Sequence, residues 1–334
     1  MSDIDFNEKN KYTDFSGMKS SKTFSPSATI FEEKKKKKFR IFIVIVVVLI
    51  ACIVASIVNI AKCNNTINVK NIIVEHEDIP ASFSGYKILQ ISDINGKEFG
   101  DRQEELIALV KGLDYDMILL TGDYYGEDKN DPWALLDLLD GLETDKPIYY
   151  ILGEEDVEAR DTEDDDWMMC INPPAGNQIV TALEERGALS VYPAQRIESA
   201  AGEYIYLTGI KNNNTLKEFD FEAESEFSIC VTHKPIDYNV DSRLRDVNTR
   251  IITELDYDLN IAGHTLGGQY KLPILGTVYT SDYGIFPQEK QVYGLSTDSS
   301  GRYNYICGGL GVKSGFRVGI SPEISIIELK STGK

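Results

Sequence analysis

The order of predicted elements gives an α+β fold, two packed sheets flanked by helices, preceded by one transmembrane helix. Three observations carry this reading. Strand-like and helix-like stretches alternate from about residue 86 to 187, and strands crowd the remainder, as in layered sheets with helices outside. Apolar runs end repeatedly in Asp, Glu or His at the following loop: ISDING (91–96), LLTGDYYG (119–126), YILGEED (150–156), VTHKP (231–235) and LNIAGHTLGGQ (259–269). Finally, an apolar stretch of about 20 residues, long enough to cross a bilayer as a helix, follows the basic run KKKKKFR (34–40).

Residues 1–38 read as a disordered cytoplasmic tail, being polar and without apolar period. Residues 39–61 read as the transmembrane helix; from Ile41 onward only Ser56 and Asn59 interrupt it. The basic run precedes the span and Lys62 alone follows it, so the positive-inside rule places the tail in the cytoplasm and the rest outside the cell membrane. LIAC (49–52) resembles a lipid-attachment box, but apolar sequence continues well past Cys52, which favours an anchor helix. The 334 residues suit one domain with appendages, and the net charge of −19 gives no expectation of nucleic-acid binding. The five cysteines form no CxxC pair; Cys230 and Cys307 fall inside apolar strands, where a thiol behaves as a small hydrophobe.

Residues 62–85 read as a linker leading into the domain, which occupies 86–330. Strands are expected at 86–92, 116–121, 148–152, 204–209, 227–232, 258–262, 303–307 and 324–329. Helices are expected at 102–111, with Leu106, Leu109 and Val110 on one face, and at 132–142, with Leu135, Leu138 and Leu139 inward. Two more are expected at 179–186, where Gly187 is the stop, and at 249–255.

The ordered strand-end series resembles the calcineurin-like metallophosphoesterases, most closely their membrane-attached bacterial branch. That family carries DxH, GD, GNH(D/E), a lone His and GHTHGGQ in this order. The likeness runs from about Lys87 to Leu329 and includes KLPILGTVYTSDYGIFP (271–287) and GGLGVKSGFRVGISPEISIIEL (308–329). It implies a four-layer αββα metallophosphoesterase sandwich. It also implies two metals, about 3.5–4 Å apart, that clamp a phosphoryl group and activate a water. Asp93 matches the Asp of the first motif, and Asn95 stands where its His would be. Asp123 matches the bridging carboxylate. Glu154 replaces a ligating Asn, and Glu155 replaces the catalytic His that protonates the leaving oxygen. His233 matches the lone His, His264 the first His of the last motif, and Leu266 replaces the second.

The resemblance thus makes Asp93, Asn95, Asp123, Glu154, His233 and His264 the metal candidates and Glu155 the catalytic one. Asp123, Glu154, His233 and His264 are competent ligands for one divalent transition metal, Mn, Zn or Fe. The other position would draw on Asp93, Asn95, Asp123 and Leu266, and Leu coordinates nothing. One ion rather than two is therefore expected. Three functional readings stay open, of which the first two are a one-metal binding module that hydrolyses poorly or not at all, and a working phosphoesterase on cell-envelope esters of phospholipid, wall polymer or nucleotide. An anchor without metal is a third. The acidic run after Glu154, to Asp166, reads as a solvated loop or a cation-binding rim. Lys234 and Arg317 are open between anion contact and carbonyl capping.

Overall fold

The computed structural model describes residues 26–126, 132–156, 178–192, 194–209, 227–236, 257–272, 274–280, 283–288, 292–298 and 300–333. The chain divides into two units, Met1–Ser56 and Ile57–Lys334. In the first unit the described residues belong to one helix, α1, which spans Pro26–Asn65 and so runs on into the second. The helix starts ahead of the expected 39–61 and takes in residues assigned by sequence to a disordered tail. The reason is local: straight-chain lysines lose little rotamer freedom in a helix, so the run from Lys34 to Lys38 extends it. The apolar side chains from Ile41 to Val58 are mostly exposed, and Lys34–Asn65 is long and apolar enough to cross a membrane.

In the second unit the strands are, in chain order, β1 (Asn68–His76), β2 (Lys87–Ile91), β3 (Met117–Thr121), β4 (Ile148–Ile151), β5 (Leu189–Ser190), β6 (Gln195–Glu198), β7 (Tyr204–Gly209) and β8 (Ser228–Val231). They continue as β9 (Leu259–Ala262), β10 (Tyr270–Leu272), β11 (Gly276–Thr280), β12 (Gly284–Ile285), β13 (Gly294–Thr297), β14 (Tyr303–Ile306) and β15 (Glu323–Ser331). Helices α2 (Glu104–Lys111), α3 (Trp133–Leu142) and α4 (Gln178–Glu184) fall between the early strands. One six-stranded sheet has the order β1-β15-β2-β3-β4-β5, and the other β13-β14-β9-β8-β7-β6. A three-stranded sheet, β10-β11-β12, follows the last strand-end motif.

The apolar runs explain the layering. A strand buried on both faces reads as continuous apolar sequence, with successive side chains going to opposite sides. In β3, Ile118 and Leu120 join a core with Leu106 and Val110 of α2, Leu135 and Leu138 of α3, and Ile179 and Leu183 of α4. Met117 and Leu119 join a second core with Ile205 and Leu207 of β7, Ile229 and Val231 of β8, and Leu259 and Ile261 of β9. The first sheet therefore packs on helices with one face and on the second sheet with the other. The helix expected at 249–255, which bears on the fourth layer, lies outside the described residues.

Sequence reading places no strand before residue 86, yet β1 pairs in parallel with β15 along its whole length. Its burial alternates, with Ile72 and Val74 inward and Ile73 54% exposed. An exposed Ile between two buried residues conceals the period-2 pattern that sequence reading depends on.

Candidate metal centre

Strands β2, β3 and β4 run parallel, as do β7, β8 and β9, so within each set the C-terminal ends share one edge of the sheet. The loops leaving β2, β3 and β4 carry Asp93, Asp123 and Glu154; those leaving β8 and β9 carry His233 and His264. Ligands gather at such edges in open α/β sheets. The backbone there is unusual. Asp93 (φ 50°), Asn95 (47°), Asp123 (57°), His264 (70°) and Leu266 (55°) all adopt left-handed conformations. Asn, Asp and His tolerate that region better than other side chains; Leu does not. The loop thus holds at Leu266 a conformation its side chain does not favour. Gly122 is needed for approach: a Cβ there would lie 2.5 Å from Gly153 N and 2.7 Å from His233 Nδ1.

Three donor atoms converge, one each from Asp123, His233 and His264, all within 4.8 Å of one another. His233 Nε2 is 3.1 Å from Asp123 Oδ2 and 3.2 Å from His264 Nδ1. The other ring nitrogen, His233 Nδ1, is 2.7 Å from the Thr121 carbonyl, to which it can only donate. That bond leaves the Nε2 lone pair free in the neutral ring, the arrangement typical of a ligating histidine. Two imidazoles and a carboxylate fit Mn, Zn or Fe, and three protein ligands leave a position for water or a phosphate oxygen. The donor set fits a divalent transition metal.

Without a cation the group balances itself. Burial pushes the Asp123 carboxyl up, but the adjacent His233, its hydrogen bond and the Glu155 N–H outweigh this and bring it down to about 2. Burial pulls His233 down, yet Asp123, Asp93 and the Thr121 carbonyl carry it up to about 10. Asp93 is fully buried, and burial raises its carboxyl despite the nearby imidazoles. Its oxygens accept the His264 backbone N–H at 3.1 and 3.0 Å and the Ser92 hydroxyl.

The candidates divide by what they touch. Asp123, His233 and His264 come together. Asp93 lies behind them, holding the His264 backbone. Glu154, expected as a fourth ligand, forms an ion pair with Lys234. Glu155, expected as the proton donor, pairs with Lys313, and its N–H donates to Asp123 Oδ1 at 3.1 Å. Asn95 is buried, and its Oδ1 has no hydrogen-bond partner among the described residues. Arg317 caps carbonyls: its terminal nitrogens donate to Leu266, Gly308, Gly309 and Gly311.

Asp156, which the resemblance matches to the acidic follower in the third motif, takes a structural role that the sequence reading did not assign it. Asp156 is buried and accepts backbone N–H groups from Asp123 (2.8 Å), Tyr124 (2.7 Å) and Gly153 (2.8 Å), tying the β3 and β4 loops together. Burial first, then the Asp123 charge, raises its carboxyl to about 7 against those N–H bonds. Its signal in sequence is its place at the acidic last position of the GNH(D/E) motif, shortly after an apolar strand. The run beyond it, 157–166, lies outside the described residues.

With this geometry in hand, comparison with known proteins gives consistent matches. The model of the calcineurin-like phosphoesterase family matches residues 86–268. The uncharacterized metallophosphoesterase YkoQ of Bacillus subtilis is 26% identical over 279 residues, covering 79% of this chain and 90% of the relative. YkuE of the same organism, also an uncharacterized metallophosphoesterase, is 27% identical over 269 residues, covering 76% and 82%. The phosphodiesterase YaeI of Escherichia coli is 25% identical over 248 residues, covering 73% and 82%.

Proposed function

The chain belongs to the calcineurin-like phosphoesterase family, and from that premise we propose that it is a membrane-anchored phosphoester-binding domain with one divalent metal and hydrolysis well below that of a two-metal centre. Asp123, His233 and His264 hold the ion. The convergence of those three donors, with His233 committed through Nδ1 to a carbonyl, carries this reading. Glu154 stays with Lys234 and takes no part in the first coordination shell. A cation there supplies Lewis-acid polarisation of a phosphoryl oxygen and a more acidic water. The chain supplies the rest: Asp93 fixes the His264 backbone, Asp156 fixes the Asp123 loop, and the parallel strand ends hold both in register.

Two replacements limit turnover. Leu266 offers no donor where the family has a histidine. Glu155, where the family has the imidazole for the leaving oxygen, is bound to Lys313. The ligand is a phosphoester at the outer face of the cell membrane. The domain, 86–330, is carried there by α1, with 1–38 in the cytoplasm and 62–85 leading in. The test is metal content of the purified protein: about one equivalent of Mn, Zn or Fe is expected, and two tightly held equivalents would overturn the reading.

A second reading, an active two-metal enzyme, has one observation in its favour. The unspent Asn95 Oδ1 is a hard oxygen donor buried beside Asp93. Turnover of a soluble aryl phosphodiester with Mn supplied, rising with a second bound equivalent, would select it.

A further inference from the structure

A cavity of about 520 Å³ lies in the second unit between the last turns of α1 and the segment 310–317. Asn64 and Asn65 close its helix end, and its walls are mostly apolar, with Ile57 and Ile60 on the helix and Leu310 and Phe316 opposite. Two of these are open to the outside, Ile57 at 60% and Phe316 at 48% exposed. Two cations share the lining, Lys97 and Arg317. Arg317 is 1% exposed, and although its terminal nitrogens are spent on carbonyls, its Nε has no hydrogen-bond partner among the described residues. A buried guanidinium with an unspent donor is costly against an empty apolar cavity and favourable against an anion or its ester oxygens.

The cavity shares its backbone with the metal centre. Leu310 N donates to the Ser92 carbonyl at 3.0 Å and Gly311 N to the Asp93 carbonyl at 2.6 Å. Gly311 also faces Asn95, whose Cβ would meet any side chain placed there. One wall therefore backs the Asp93–Asn95 loop, and the other is formed by the end of the apolar run Ile41–Val58 and the helical turn after it. A largely apolar space lined by the C-terminal turns of a membrane-crossing sequence, and carrying cations beside a phosphoester centre, fits one class of occupant. We propose that it seats an acyl chain of an anionic membrane lipid, so that the phosphoester presented to the centre is that of a phospholipid. This rests on the reading of the centre given above and names its ligand class.

The experiment uses the full chain reconstituted in phosphatidylcholine vesicles doped with phosphatidylglycerol bearing a photoactivatable diazirine on one acyl chain. Light should attach lipid to peptides containing 310–317. Ala61→Phe, which puts a ring into the cavity from an exposed helix position, should reduce that attachment by about tenfold while bound Mn²⁺ per chain stays unchanged. Diacylglycerol with the same diazirine, lacking the phosphate, should attach there several-fold less. Attachment confined to α1, undiminished attachment in Ala61→Phe, or equal labelling by diacylglycerol would each overturn the proposal. The two levels fail separately. If the wild-type protein in the same vesicles binds no Mn²⁺, the metal-centre reading falls, and with it the assignment of the lipid as that centre's ligand.

Discussion

His233 carries two relationships that pull in opposite directions. In the metal-free protein it is held as an imidazolium, up to about 10, by Asp123 and Asp93. As a ligand it must be neutral. Metal binding near pH 7 should therefore release about one proton per ion, measured by calorimetry in buffers of different ionisation enthalpy; release near zero would remove His233 from the ligand set. His264→Ala should abolish tight binding, because it deletes a donor, whereas Asp93→Ala should weaken it modestly, because Asp93 acts on the His264 backbone. Metal titration of the two variants distinguishes them. Asp156→Ala should cost on the order of 3 kcal/mol in denaturant unfolding, since it strands buried N–H groups of two loops. At this scale the converging donors Asp123, His233 and His264 were legible because each closely follows an apolar strand. The lysine partners of Glu154 and Glu155 were not, since Lys234 and Lys313 come from distant parts of the chain and no local spacing joins them.

At the scale of the element, the loop after β9 takes a shape that suits its sequence poorly at one position. Leu266 sits at φ 55°, where His would be more at ease. Leu266→His should therefore be tolerated structurally, the more so because Leu266 is only half-buried. Combined with Asn95→His it should raise bound metal from about one to about two equivalents, while either change alone does little, since ligands acting as a unit are strongly non-additive. Metal analysis of the folded single and double variants checks this; a double variant that stays at one equivalent would show that these positions do not form the second site. Strands β2, β3, β4, β8, β9, β14 and β15 and helices α2 to α4 were legible because burial on two faces, or on one helical stripe, leaves a long apolar signature; β7, whose burial alternates, was legible from its run of aromatic and branched side chains. Short or half-exposed strands such as β6 (Gln195–Glu198) and β13 (Gly294–Thr297) carry too few buried side chains to announce themselves.

For the whole molecule, the charges of the centre set a pH dependence in the metal-free state. The elevated His233 contributes stability that is full below 6.5 and is lost as pH rises through about 10. Asp156, raised from 3.8 to about 7, loses its contribution as pH climbs between those values. Asp123, lowered from 3.8 to about 2, contributes above 3.8 and fails only as pH falls through 2. The melting temperature in chelator should thus decline from mildly acidic to alkaline pH, and His233→Gln should flatten the alkaline part. Added metal should reverse the trend. Protease applied to wall-stripped cells should digest the domain and spare the tail; protection of the domain would reverse the proposed topology.

The position of β15 bears on how the protein comes into being. Among the described strands it is the last in the chain, yet it lies between β1 and β2 and joins them. Until it is made, the first sheet exists as two pieces with open edges, and open edges invite pairing with other chains. A chain delivered across a membrane behind its anchor would complete this sheet only after nearly all of it had crossed. The interval before closure is when assistance from a chaperone, or attack by a quality-control protease, would decide the yield.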